Sequence, residues 1–131
     1  MERRADFILI DDDPVNNMLS EIIIEEVFPD ARIVAFTDPK AGLDHVLIQR
    51  NPKIEGKCIL FLDLNMPIMS GWDFMDQFEK SEISTKHQLE IYILSSSVNP
   101  ADLDRAKKNP FIRDFIEKPL TEEVVMDLVS R

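Results

Sequence analysis

The chain has 131 residues, enough for one domain with a true core, since domains cluster around about 100–150 residues; residues 1–131 are read as a single domain. Its 25 acidic and 15 basic residues give a formal net charge of −10, which argues against a nucleic-acid or anionic-membrane surface, because phosphate groups attract Lys/Arg-rich faces, and favours cation binding. No apolar stretch approaches the roughly 20 residues needed to cross a bilayer, and Met1-Glu2-Arg3-Arg4 precedes a strand of a few residues rather than a signal-peptide core, so a cytoplasmic location is expected.

Phe7-Ile8-Leu9-Ile10 is a continuous apolar run of the kind buried on both faces of a sheet. Asp13-Pro14 then supplies a helix cap followed by proline at the first helical position. In the helix that follows, Val15, Met18, Leu19, Ile22 and Ile23 recur at helical spacing and predict a stripe facing a core, with a stop near Phe28-Pro29-Asp30. Ile33–Phe36 reads as a second strand, and Asp38-Pro39 repeats the cap before a helix carrying Leu43, Val46 and Leu47. Arg50 to Lys57 reads as a polar loop, Cys58–Leu62 as a third strand ending at Asp63, and Asn65 through Gly71 as a turn-rich loop.

Trp72 to Phe78 predicts a third helix with Phe74, Met75 and Phe78 inward. Ile91–Leu94 is a fourth strand ending at Ser95-Ser96-Ser97, and Asn99-Pro100 opens a short helix. Ile112–Ile116 is the weakest strand because Arg113 and Asp114 interrupt it. Thr121 caps a last helix with Val124, Val125, Leu128 and Val129 inward. Strict alternation of strands and helices predicts an α/β, three-layer, doubly wound domain: a parallel five-stranded sheet joined by right-handed crossovers.

In such a sheet the carboxyl ends of the strands border the ligand crevice. Asp11-Asp12-Asp13, Asp63, Ser95 and Lys118-Pro119 each follow an apolar run and so converge there. Asp13, beside Pro14, is read as the helix cap. Asp11 and Asp12 continue a buried strand, where a carboxylate needs a partner or a cation. With Asp63 on a neighbouring strand the three would repel one another, and a hard divalent cation relieves this. The available donors are oxygens, which favours Mg²⁺ or Mn²⁺ over zinc. Cys58 is the single cysteine, which excludes an intrachain disulfide and predicts a buried apolar side chain; His45 and His87 lack metal-ligand spacing and read as ordinary side chains.

Over essentially its whole length the sequence resembles the receiver domain of two-component response regulators, of the chemotaxis-regulator-like single-domain kind. The resemblance rests on Ile8-Leu9-Ile10-Asp11-Asp12-Asp13-Pro14, Leu62-Asp63-Leu64-Asn65-Met66-Pro67-Ile68-Met69-Ser70-Gly71, Leu94-Ser95-Ser96 and Phe115-Ile116-Glu117-Lys118-Pro119 in that order and spacing. It implies a flavodoxin-like strand order 2-1-3-4-5. It implies that Asp63 accepts a phosphoryl group from a histidine kinase or histidine phosphotransfer protein, that Asp12 binds Mg²⁺ directly and Asp11 through water, and that the Asn65 backbone carbonyl is a further ligand. Lys118, before a typically cis proline, would supply positive charge, the Ser95 hydroxyl would bond the new phosphoryl group, and Phe115 would be the aromatic that moves with the Ser95 loop. The chain would catalyse only its own phosphorylation and dephosphorylation and signal by contact with an output protein, as a monomer or a phosphorylation-dependent homodimer.

Two departures stand out. Lys107-Lys108-Asn109-Pro110-Phe111 lacks the small Gly/Ala pair common before the last strand, and Asn65 and Ser97 occupy positions that in the family modulate phosphoryl lifetime. Two other readings compete. A haloacid-dehalogenase-type phosphohydrolase would need a second acid two residues after the nucleophile, where Asn65 stands, and a cap insertion. A degenerate receiver that only binds partners would not require Asp12, Asp63 and Lys118 together. No output region is expected after the last helix, which leaves a stand-alone regulator or an excised receiver.

Overall fold

All five strands expected from apolar runs are present. The computed structural model describes residues 5–49, 57–81 and 89–130. In chain order these form β1 (Ala5–Ile10), α1 (Pro14–Val27), β2 (Arg32–Phe36), α2 (Pro39–Asp44) running into a π-helical turn (His45–Gln49), β3 (Lys57–Leu62), α3 (Gly71–Lys80), β4 (Leu89–Ser95), α4 (Pro100–Lys108), β5 (Ile112–Glu117) and α5 (Glu122–Ser130). The expected loop residues Arg50–Gly56, and His87, lie outside the described residues.

The strands form one parallel sheet in the order β2-β1-β3-β4-β5. Alternation along each strand divides the core between the two faces. On one face Ile8, Ile10, Leu60, Leu62, Ile91 and Ile93 meet Leu43 of α2, Val46 of the π-helical turn, Phe74, Met75 and Phe78 of α3, and Ala106 of α4. On the other, Phe7, Leu9, Phe61 and Tyr92 meet Ile24 of α1 and Val125 and Leu128 of α5. Phe7, Phe61 and Tyr92 on adjacent strands form a continuous aromatic row, with centroids 6.2 and 6.1 Å apart. Full burial of each such side chain contributes about 1.5–3 kcal/mol, so these layers dominate stability.

The expected caps form: Asp13, Asp38 and Asn99 accept the backbone N–H two residues on, each before a proline at the start of its helix. Ser70 and Asp73 close a capping box at α3. The weak reading of β5 has a structural origin, because the β4–β5 register slips at Ile91/Tyr92, passing over Arg113.

One expectation fails. Val15, Met18, Leu19 and Ile22, read as the inward stripe of α1, are 49–55% exposed, and only Ile23 of that set packs against the core. The buried positions are Asn17, Ser20 and Ile24. Polar residues face inward here because α1 must satisfy strand-end carbonyls: the Asn17 amide donates to the backbone oxygens of Asp11 at 3.0 Å and Phe36 at 3.2 Å. A second difference is the π-helical turn after α2, which begins where the His45 N–H is shared between the Ala41 and Gly42 carbonyls. Cys58 is buried, as expected, and His45 is half-buried with its ring 5.2 Å from Phe36. Among the described residues no helix is long and apolar enough to cross a membrane.

Candidate functional site

The sheet extends its hydrogen bonding one residue past the strand ends, and this sets the site. The Asp11 N–H bonds the Phe36 carbonyl at 3.1 Å, the Asp63 N–H bonds that of Ile10 at 3.0 Å, and the Lys118 N–H bonds that of Ser95 at 2.9 Å. Four side chains from three strand ends are thereby held over one crevice. Behind Asp63, α3 approaches so closely that a Cβ on Gly71 would lie 2.6 Å from the Asp63 carbonyl oxygen and 2.9 Å from the Leu64 Cα. Only glycine fits there.

Asp11, Asp12 and Asp63 each bring a carboxylate oxygen within 4.8 Å of the others, with Asp11 and Asp63 buried and Asp12 exposed. Lys118 Nζ lies 2.7 Å from Asp11 Oδ2 and 3.6 Å from Asp63 Oδ1. Asp11 Oδ1 accepts the Asp13 N–H at 2.9 Å, and Asp11 Oδ2 accepts the Asn16 side-chain amide at 2.6 Å. Burial, and after it the Asp11 charge, push the Asp63 carboxyl up to about 6, against the lowering effects of Lys118 and the Asn65 backbone N–H. Three carboxylates against one ammonium leave negative charge that a hard cation would neutralise, and the donors present are all oxygens. The residues therefore fit a small divalent ion.

A family model described as the response regulator receiver domain matches residues 7–130. The chain belongs to this family. A two-component response regulator from Cytophaga hutchinsonii is 28% identical, with a TM-score of 0.84 over 98% of this chain and 96% of that one. A response regulator receiver protein from Dyadobacter fermentans, at 24% identity, shares the fold with a TM-score of 0.86 over 97% and 96% of the two chains. The probable methanogenesis regulatory protein FilR2 of Methanothrix harundinacea is 27% identical over 116 residues, 88% of this chain and 73% of that protein.

Receiver domains bind Mg²⁺ at an acidic pocket, and here Asp11, Asp12 and Asp63 form an acidic cluster that could hold a metal ion. Asp11, Asp12, Asp63 and Lys118 come together as the sequence suggested. Asn65 is exposed in the loop after β3, and its backbone N–H bonds Asp63. Ser95 ends β4 fully buried, with its hydroxyl exchanging 3.3 Å hydrogen bonds with the Ser97 backbone. Phe115 is half-buried on β5, beside a cavity bounded by Leu103, Ala106 and Lys107 of α4. The Lys118-Pro119 peptide is cis.

Two participants went unnoticed in the sequence. Asn16 and Asn17 lie in the first turns of α1, and with Ser20 they line a small cleft shared with Asp11 and Asp63. The available signal was an Asn-Asn pair one helical turn after the aspartates. Trp72, in the first turn of α3, ties that helix to α4: its indole N–H donates to Asp102 at 3.0 Å, and the Arg105 guanidinium lies 4.4 Å over its ring.

Proposed function

We propose that Asp63 accepts a phosphoryl group from the phosphohistidine of a histidine kinase or histidine phosphotransfer protein, in a reaction that depends on Mg²⁺ or Mn²⁺, and that an output protein reads the resulting change by contact. The observation that carries this reading is the Lys118 ammonium, 2.7 Å from Asp11 and 3.6 Å from Asp63, set among three carboxylates at the strand ends. An Asp63 carboxylate oxygen attacks phosphorus, the P–N bond to the imidazole breaks, and its electron pair leaves with the histidine nitrogen. Because Asp63 ionises only above about pH 6, the nucleophile is present at neutral pH.

Asp11, Asp12, Asp63 and the Asn65 backbone carbonyl would hold the cation, which when bound neutralises charge on the transferring oxygens. Lys118 moves from Asp11 toward the new phosphoryl group. Ser95 exchanges its bonds to Ser97 for one to a phosphoryl oxygen, and Phe115 follows: its position pairs with Ile93, two residues before Ser95 on the adjacent strand. This is a local charge change that biases a two-position element.

The exposed stripe Val15, Met18, Leu19 and Ile22 gives the phosphodonor its footing. It begins two residues after the Asp13 cap, on the helix whose Asn16, Asn17 and Ser20 line the cleft shared with Asp11 and Asp63, and an exposed apolar stripe on such a helix is the expected mark of a protein contact. Ile68, fully exposed at φ 71° in the loop after β3, stands in a backbone region that β-branched residues rarely adopt. We assign it to the same contact.

The test is a fluorine NMR titration with beryllium fluoride, which mimics an aspartyl phosphate. A bound resonance that needs both Mg²⁺ and Asp63 supports the proposal. A spectrum unchanged by Mg²⁺, or by Asp63→Asn, contradicts it.

A further inference from the structure

Asp11 has more partners than a cation ligand alone would need. An ionised carboxylate offers about four lone-pair directions. Here Oδ1 accepts the Asp13 N–H at 2.9 Å, while Oδ2 accepts both the Asn16 amide at 2.6 Å and the Lys118 ammonium at 2.7 Å. Oδ2 is thus saturated, and Oδ1 keeps the one direction left for a cation or its water. Because the Asp13 bond comes from backbone and the Lys118 amine must be free to move, the Asn16 amide is the side-chain contact that fixes the rotation of this carboxylate.

We propose that Asn16 is a positioning residue for Asp11: its neutral amide selects the oxygen offered to the cation and keeps Oδ2 satisfied when Lys118 leaves it. The inference rests on the receiver reading given above and deepens it. Asn16 touches neither phosphoryl group nor cation and acts through Asp11. A neutral donor suits this role, because a second ammonium would offset the negative charge that draws the cation, whereas an amide orients the carboxylate and leaves that charge in place. The position also explains why the first turn of α1 turns polar residues toward the sheet: Asn16 serves the Asp11 side chain while Asn17 serves its carbonyl.

The test is Mn²⁺ binding by electron paramagnetic resonance, without any phosphodonor and at a temperature where all variants are folded by circular dichroism. Asn16→Leu keeps the side-chain volume without the donor and is expected to weaken Mn²⁺ binding about 10-fold, the lower end of what outer-shell partners of metal ligands contribute. Asn16→Gln retains an amide donor and should recover part of that loss, which a role limited to packing would not produce. Wild-type affinity in Asn16→Leu, or equal losses in Leu and Gln variants, would overturn the proposal. Asp12→Ala separates this from failure of the site itself: if it too binds Mn²⁺ like the wild type, the cation does not use this pocket and both readings fall.

Discussion

Lys118 stands nearer to Asp11 than to Asp63, at 2.7 against 3.6 Å, so in the unphosphorylated protein its charge is held chiefly by an aspartate other than the proposed phosphoacceptor. Both carboxylates are buried and both depend on this amine. Its position between them makes it a structural counter-ion and, in the proposed phosphotransfer, a reserve of positive charge for the group arriving on Asp63.

Removing that amine exposes the first role. In metal-free buffer at pH 7, Lys118→Ala should lower unfolding free energy by about 2–3 kcal/mol, since Asp11 is left buried without its ionic partner. Saturating Mg²⁺ should restore most of the loss. Some phosphorylation of Asp63 should persist, without the conformational response. Urea unfolding with and without Mg²⁺ checks the first two statements, and full signalling by the variant would contradict the third.

The Asp63 carboxyl makes stability depend on pH. Unfolded it titrates near 3.8 and folded near 6. Below about pH 4 both states are protonated and Asp63 contributes nothing to the pH dependence. Between these values the folded state binds more protons than the unfolded state, so stability falls as pH rises, and above about pH 6 the whole loss is in place. At about 1.4 kcal/mol per pH unit this is on the order of 2–3 kcal/mol. Asp63→Asn should therefore match the metal-free wild type near pH 4 and exceed it at pH 7, measured as the difference in urea midpoints across that range.

Gly71 sets the distance between α3 and the end of β3. Alanine there would place Cβ 2.6 Å from the Asp63 carbonyl oxygen, and backbone cannot yield as a side-chain tip can. Gly71→Ala is expected to lose about 2–3 kcal/mol of stability, the range of an overpacked site, and to weaken Mg²⁺ binding by moving Asp63. Calorimetry of Mg²⁺ binding beside thermal unfolding measures both.

The exposed stripe of α1 predicts a variant with a different signature. Met18→Glu/Leu19→Glu changes two half-exposed residues and should shift stability by less than about 1 kcal/mol. The ratio of phosphotransfer from a protein phosphodonor to labelling by acetyl phosphate should fall about tenfold, as expected when apolar anchors are lost from a docking face. An unchanged ratio would place the footing elsewhere.

Strands and caps were legible because they are local. A continuous apolar run, or aspartate followed by proline, carries its meaning within a few residues, and so did the meeting of Asp11, Asp12, Asp63 and Lys118 at one sheet edge once the sheet was taken as parallel. The face of α1 was not local. Its apolar residues satisfy helical periodicity equally well pointing outward, and the choice was made by Asn17, whose amide reaches carbonyls at the ends of two strands. Asn16 was hidden for the same reason, since its bond to Asp11 exists only once α1 is docked. The Asp63 shift depends on burial and on the Asp11 charge beside it, which no spacing encodes. Trp72 pairs with Asp102 across 30 residues, and nothing near either one announces the contact.

The most direct measurement is the intact mass of the protein after incubation with acetyl phosphate, with and without Mg²⁺, beside Asp63→Asn. One added phosphoryl group that requires both Mg²⁺ and Asp63 is the predicted result. No adduct under conditions where Mg²⁺ is shown to bind and the labile aspartyl phosphate is preserved, or an adduct retained in Asp63→Asn, would contradict the assignment of Asp63 as the phosphoacceptor.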